Sequence, residues 1–233
     1  MRLSDAWERH AEEWLAWART PGHDRWFWRV SLPALLAVLP APGRLTVDLG
    51  CGEGRVGREL LARAHRVIGV ESSPTLARAA REAQPPLEVL EADAAAVPLP
   101  DGVADLVVLS MVLISLDDPD AVLREAARLL EPGGRVVCST AHPASTADAA
   151  YAQGASYFDT HPFAETRDRG GVRMTFHDVH RPLEAIAGAF EGAGLLIEAL
   201  REPRPDEAFV ADHPDEAVYR DRPAFLVLRA LKP

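Results

Sequence analysis

The stretch Thr46-Val47-Asp48-Leu49-Gly50-Cys51-Gly52-Glu53-Gly54-Arg55 decides the fold of this 233-residue chain. Its first four residues are mostly apolar or β-branched, as in a buried strand, and a helical pattern begins after the last glycine. The glycines fall between the two, where a Cβ would keep the backbone from turning tightly and from approaching a ligand closely. The stretch therefore predicts a strand, a ligand-binding turn and a helix in succession.

The alternation of strand and helix continues along the chain. Predicted strands cover residues 45–49, 66–71, 87–90, 104–109 and 135–140, and predicted helices cover residues 55–63, 74–83, 119–130 and 183–190. Strands such as 106–109 are apolar on both faces, as parallel strands must be when helices cover each side of the sheet. Closing strands near 195–200 and 224–231 suit an antiparallel pair at one edge. We predict an α/β fold with a doubly wound, mostly parallel seven-stranded sheet.

The two segments outside this alternation have different patterns. Residues 4–20 place their apolar side chains on one side of a predicted helix, and residues 24–39 predict a second helix, so residues 1–40 form a helical cover. Residues 142–173 show no sustained period, and residues 143–180 are predicted to be a substrate lid, since long insertions in compact domains are usually binding elements. The length suits one domain over residues 1–233.

The composition of the chain disfavours some classes of binding partner and of cellular location. The 25 Lys and Arg residues against 35 Asp and Glu residues leave a formal net charge of −10, which disfavours binding to nucleic acid and to anionic membrane surfaces. Apolar runs are shorter than the roughly 20 residues needed to span a bilayer, and the N-terminus lacks a signal-like core. The two cysteines, Cys51 and Cys138, lie in predicted strand ends and suit reduced thiols. We expect a cytoplasmic protein that is a monomer or a homodimer.

Glu71 supports the interpretation of the glycine-rich turn as a ligand-binding turn. It ends the next predicted strand about 20 residues on, where a carboxylate can accept hydrogen bonds from both hydroxyls of a ribose. A ribose of this kind is part of NAD, among other nucleotide cofactors. The residues from Gly52 to Gly57 also fit Gly-x-Gly-x-x-Gly, the dinucleotide fingerprint. A NAD-dependent oxidoreductase is therefore an alternative at this point.

The run from Asp48 to Gly54 resembles motif I of the class I S-adenosylmethionine (SAM)-dependent methyltransferases, an acid followed by Gly-x-Gly-x-Gly. The resemblance extends to Glu91-Ala92-Asp93-Ala94 after the third strand, and to Leu130-Glu131-Pro132-Gly133-Gly134 before the fifth. These additional matches favour SAM over NAD. The chain is most similar to the small-molecule, methyltransferase type 11-like branch of that family.

The resemblance implies SAM as cofactor, S-adenosylhomocysteine (SAH) as product and a small molecule as methyl acceptor, by O-, N- or C-methylation, with natural-product tailoring as one setting that it suggests. The implied cofactor-binding residues are Asp48, Gly50, Cys51, Gly52, Gly54, Glu71, Ser72, Asp93, Ala94, Ser110 and Met111. A SAM-binding protein without methyl-transfer activity is a further alternative.

Histidines after the fifth strand are the candidate catalytic groups. His142 follows that strand directly, where open α/β sheets bind ligands, so it is the first candidate base, although a loop histidine with structural partners is the competing interpretation. His180 is the second candidate base. His142, His177, His180 and Arg181 are also predicted to contact the substrate, since the segment at 180–183 resembles one in small-molecule members of the family.

No metal site is predicted. Asp117-Asp118-Pro119-Asp120 could be read as a carboxylate cluster, but an Asp followed by Pro is typical of a helix N-cap and first helical position. His177 and His180 lack a zinc-like spacing with cysteine.

Overall fold

A computed structural model of the protein describes residues 2–233 and contains the predicted sheet. Seven strands lie in the order β3-β2-β1-β4-β5-β9-β8. Their bounds are β1 Thr46–Leu49, β2 Val67–Glu71, β3 Glu88–Glu91, β4 Ala104–Ser110, β5 Leu130–Ala141, β8 Leu196–Arg201 and β9 Phe225–Leu231. Strands β1 to β5 pair in parallel, whereas β9 pairs antiparallel with both β5 and β8. The predicted fold class and the antiparallel closing pair are confirmed.

Helices cover both faces of the sheet. The α-helices within residues 2–233 are α1 Leu3–Arg9, α2 Ala11–Arg19, α3 Leu32–Ala37, α4 Arg55–Leu61, α5 Pro74–Glu82, α6 Pro119–Leu129, α7 Pro143–Ala152, α8 Leu183–Gly192 and α9 Glu207–Asp212. In β4, Leu106 and Val108 pack with α3, α4 and α5, while Val107 and Leu109 pack with α6 and α8. Because successive side chains of a strand point to opposite faces, one apolar run supplies both core layers.

The N-terminal helices differ from the prediction in continuity. The helix expected over 4–20 breaks at His10 into α1 and α2. Helix α1 lies over the start of α5, whereas α2 packs against the two-stranded sheet formed by residues 161–180. The helix expected over 24–39 is α-helical at Arg25 and Trp26, passes through a π-helical turn, Phe27–Ser31, and continues as α3. Pro33 has no N–H to donate to the carbonyl of Arg29, which favours the wider turn before it.

The lack of a sustained period over residues 142–173 predicts a long loop-like insertion, but residues 143–180 contain regular structure. They form α7 and then an antiparallel hairpin of β6 His161–Arg169 and β7 Val172–His180. The strands are joined by Gly170 and Gly171, whose φ values of 58° and 78° suit the two-residue turn that matches strand twist. This hairpin forms a small second sheet beside the carboxyl ends of the parallel strands.

None of the helices in the described part of the chain is both long and apolar enough to cross a membrane.

Candidate active site

The glycine-rich turn joins β1 to α4 through backbone that only glycine adopts readily. Gly50, Gly52 and Gly54 have φ values of 71°, 58° and 83°, in the left-handed region that penalises a Cβ. At Gly50 a Cβ would lie 2.7 Å from a methyl carbon of Val112. At Gly52 its only neighbour within 4 Å would be the indole nitrogen of Trp14, in van der Waals contact at 3.8 Å. The turn therefore leaves a backbone surface that a ligand can approach.

Glu71 ends β2 directly beside this turn. Its carboxylate accepts hydrogen bonds from the backbone N–H groups of Gly52 at 2.9 Å and Ser73 at 2.8 Å. Burial raises the pKa of Glu71, and these two hydrogen bonds, which favour the charged form, oppose that rise. The carboxylate is thus held at the mouth of the turn, where Ser72 also faces the cavity.

Asp48 lies beneath the turn with its side chain 1% exposed. Burial, reinforced by the negative charge of Glu71, raises the pKa of Asp48 to about 7. Its Oδ2 has no hydrogen-bond partner within residues 2–233. The neighbouring Cys51 is a buried free thiol, as is Cys138 in β5, and burial raises the pKa of both. Neither thiol is therefore poised for nucleophilic chemistry.

Residues after β3 and β4 complete this end of the cavity. Asp93 and Ala94 lie in the loop after β3, Ser110 ends β4, and Met111 follows it directly. Met111 has a φ of 60° and donates its N–H to the carbonyl of Ser139 at 2.7 Å. A non-glycine residue held in this strained conformation is common where the backbone shapes a ligand site.

These elements border one cavity of about 1430 Å³. All the predicted cofactor residues line it except Gly54, which lies behind the turn as the N-cap of α4, against Ala80 and Leu87. The volume exceeds the roughly 300–1,000 Å³ of a typical small-molecule pocket. The cavity can therefore hold a cofactor and a second molecule together.

The structure places the two candidate bases outside the cavity wall. His142 caps α7, with Nδ1 accepting the N–H of Ala144 at 3.0 Å and Nε2 3.0 Å from an oxygen of Glu202. Burial lowers the pKa of His142. His180 is fully buried, with its ring nitrogens 2.7 Å from the Thr146 hydroxyl and 2.9 Å from a backbone carbonyl. Both rings have partners within the protein, so neither is positioned to reach a molecule in the cavity.

His177 and Arg181 also have structural partners. The His177 ring stacks on His10 of the segment joining α1 and α2, with centroids 5.2 Å apart. Arg181 donates to the backbone carbonyls of Leu113 and Leu116, in the turn after β4. These contacts fasten residues 177–181 to the rest of the molecule. The catalytic and substrate roles of the four residues stay predictions without geometric support.

Side chains that the sequence reasoning missed line the rest of the cavity. They are Trp14 and Trp17 of α2, Ser115 after β4, and Phe163, Glu165, Arg167, Phe176 and Asp178 of the hairpin. The hairpin residues share one face, because Phe163 pairs with Asp178 and Glu165 with Phe176 in the strand register. Their spacing of two and the following pair of glycines were signals of a hairpin with one ligand-facing side.

The carboxylate run at 117–120 is a helix start, as predicted. Asp118 accepts the N–H of Ala121 at 2.9 Å, and Pro119 is the first residue of α6. Within residues 2–233 no group of three or more His, Cys, Asp or Glu side chains is arranged to hold a metal ion.

Comparisons with known proteins show that this chain is similar to methyltransferases in sequence and in fold. The C-methyltransferase UbiE of ubiquinone and menaquinone biosynthesis from Caulobacter vibrioides is 28% identical over 185 residues, covering 72% of this chain and 73% of that enzyme. A 37.1 kDa protein of transposon TN4556 from Streptomyces fradiae is 42% identical over 103 residues, which are 41% of this chain but only 30% of that protein. The crystal structure of a SAM-dependent methyltransferase from Mesorhizobium loti is 28% identical, with a TM-score of 0.66 over 85% of this chain and 96% of that one.

A family model described as a methyltransferase domain matches residues 47–138, from β1 to β5. The chain carries a class I SAM-dependent methyltransferase domain. The match includes the glycine-rich turn, Glu71 and Asp93. SAM therefore replaces the nicotinamide cofactor of the alternative, while the roles of the individual residues stay predictions.

The residues of this methyltransferase domain fit SAM. Gly52 lines the cavity without a side chain, so a ligand can approach its backbone, and the buried carboxylate of Glu71 is hydrogen-bonded to that backbone and lines the same cavity. The acids are also suited to a cofactor whose sulfonium and amino groups are positively charged. The turn, Glu71 and the loop at Asp93 are thus the part of the cavity in which SAM fits.

Proposed function

We propose that this chain transfers a methyl group from SAM to a small molecule bound on the hairpin side of the cavity. The observation that carries the proposal is that one cavity continues from the glycine-rich turn to the hairpin. The cofactor residues border one end, and the aromatic and acidic side chains of α2 and the hairpin border the other. The similarity to UbiE, a methyltransferase of quinone biosynthesis, supports a small-molecule acceptor.

In this proposal Gly50, Gly52 and Glu71 hold the cofactor, with Asp93 beside its adenine. SAM supplies a methyl group already activated by the positive charge on sulfur. The chain then has to align the acceptor and exclude water, which are the contributions of proximity and desolvation. The packing of α2 against the hairpin, both of which line the cavity, supports these roles.

We also propose that residues 1–40 act as a cover and residues 143–180 as a substrate lid on a single domain. Trp14 of α2 faces Gly52, which supports the cover. The inner face of the hairpin lines the cavity, which supports the lid. The net charge of −10 supports a small molecule over nucleic acid as the acceptor.

Calorimetric titration with SAH, followed by transfer of labelled methyl from SAM to pools of small metabolites, tests this function. We expect SAH to bind, and label to enter a compound that is extractable into organic solvent or of low mass. Gly52→Val, whose side chain would enter the SAM space, should abolish both signals. Binding of SAH without label transfer to any pool would instead favour the SAM-binding protein that does not methylate.

A further inference from the structure

The Asp178 carboxyl of β7 faces the acceptor end of the cavity. It accepts a hydrogen bond from the hydroxyl of Ser115 at 2.6 Å, which joins the hairpin to the turn after β4. The side chain is half-buried: protein atoms surround it, but it keeps a surface that opens onto the cavity. A molecule bound there can therefore contact the carboxyl directly.

The charge of Asp178 is not neutralised by an ion pair within residues 2–233. Two charged groups of β6, Glu165 and Arg167, act on the charge of Asp178, but Arg167 donates two hydrogen bonds of 2.8 and 2.9 Å to Glu165. Burial raises the pKa of Asp178 to about 6, so most of the carboxyl is ionised at neutral pH. A desolvated carboxylate without a cation is unfavourable, and a positively charged ligand would relieve that cost.

The surroundings of Asp178 are aromatic. Phe163 lies opposite it in the hairpin, and Phe176 is two residues away on the same face. The Phe176 ring packs edge-on against Trp14 and Trp17, with centroids 6.1 and 6.0 Å apart. We name these four rings the aromatic wall. The guanidinium of Arg167 lies 5.4 Å from the centre of Phe176, so this wall already makes a cation–π contact.

We infer that the methyl acceptor is an amine, bound as its ammonium form by Asp178 against the aromatic wall. Carboxylates also outnumber guanidinium groups along the whole cavity lining, which favours a cation. The inference rests on the proposed function and specifies its substrate class. In the reaction the nitrogen gives its surplus proton to the Asp178 carboxylate, the N–C bond forms and the C–S bond breaks, so atoms and charge balance.

Matched pairs of ligands test the inference by binding alone. Calorimetry on the SAH-loaded protein would compare 2-phenylethylamine with 2-phenylethanol, and tryptamine with its alcohol analogue. We expect the amine of at least one pair to bind about tenfold or more tightly than the alcohol at pH 7. Asp178→Asn should remove this preference. Asp221→Asn removes one exposed carboxylate outside the cavity and should leave it intact.

Equal affinity of amine and alcohol in both pairs would overturn the inference, and this result needs no variant to fold. Tighter binding of the alcohols would likewise overturn it and give Asp178 a role toward hydroxyl acceptors. A loss of SAM affinity with unchanged SAH affinity in Asp178→Asn would assign the carboxylate to the sulfonium instead. Failure of SAH itself to bind the wild-type protein would reject the proposed function, which separates the two failures.

Discussion

Asp48 holds its carboxyl in the core beneath the glycine-rich turn, where burial raises its pKa to about 7 from the usual 3.8. An acid with a raised pKa in the folded state keeps its proton at pH values where the unfolded chain has released it. This group therefore lowers the free energy of unfolding as the pH rises from about 4 to about 7, and the full loss persists above pH 7. Below pH 4 it contributes nothing.

Asp48→Asn removes this titration and keeps one acceptor oxygen. We expect the ligand-free variant to gain stability over the wild-type protein as the pH rises, by about 1–3 kcal/mol more at pH 8 than at pH 5. Denaturant unfolding at the two pH values measures the difference. Asp221→Asn, at an exposed site, should show no such gain. Identical pH profiles for Asp48→Asn and the wild-type protein would contradict the buried, raised pKa.

Glu71 offers its carboxylate to the backbone of the turn and to the site where a ribose fits. Replacing it by Ala should weaken SAH binding by about 1–3 kcal/mol, because charge-assisted hydrogen bonds to the ligand are lost. Calorimetric titration gives the dissociation constant. Glu59→Ala, at a half-buried ion pair with Arg63 outside the cavity lining, is the matched control. An unchanged constant in Glu71→Ala would remove this residue from the cofactor site.

Single residues differ in how much their sequence context reveals. The place of the predicted cofactor residues on the cavity wall could be predicted, because the local sequence pattern shows the need for glycine at a positive φ and for an acid one strand later. The place of His142 could not, since its ring is held by the first turn of α7 and by Glu202. Neither partner is visible in a pattern centred on β5. A titratable residue at a strand end thus indicates a site only when its other contacts are known.

At the scale of elements, the hairpin is fastened to the N-terminal segment at its tip. The carbonyl of Arg169 lies 2.6 Å from a ring nitrogen of His23, and the guanidinium of Arg169 donates to the carbonyls of Gly22 and His23. The same guanidinium lies 5.5 Å from the centre of the Trp17 ring. These contacts connect the proposed lid to the proposed cover.

Arg169→Ala should loosen this connection while leaving the sheet intact. We expect limited proteolysis within residues 153–180 to become several-fold faster, since cleavage follows local opening. The free energy of global unfolding should change by about 1 kcal/mol or less. Arg173→Ala, at an exposed position of the same hairpin, is the control. Equal cleavage rates for the two variants would show that the tip contacts do not hold the hairpin closed.

The hairpin was missed for a physical reason. An ordinary half-buried strand alternates apolar and polar side chains, because one face meets a core. The inner face of β6 carries Phe163, Glu165 and Arg167, which face a cavity instead. Its alternation is therefore of aromatic and charged groups, and hydrophobic periodicity does not report it. The parallel strands, which meet cores on both sides, were correctly predicted.

At the scale of the whole molecule, cofactor binding should stabilise the fold. A ligand present at about 100 times its dissociation constant adds roughly 2.7 kcal/mol to the free energy of unfolding. For a chain of this size that raises the melting temperature by about 5–10 °C. Thermal unfolding with SAH should show this rise, whereas NAD at the same concentration should leave the melting temperature unchanged. A higher melting temperature with NAD and an unchanged one with SAH would instead favour the NAD-dependent oxidoreductase.

The hydrogen bonds between His23 and Arg169 have a consequence for the turnover rate. Because the two elements over the cavity hold each other, neither can swing away without breaking their shared hydrogen bonds. Release of the products and entry of new SAM and substrate therefore require the hairpin and the N-terminal segment to move away together. We expect escape of the products, not bond making, to limit the turnover rate. Rapid mixing would then reveal an initial burst of methylated compound equal in amount to the enzyme, followed by a slower steady phase.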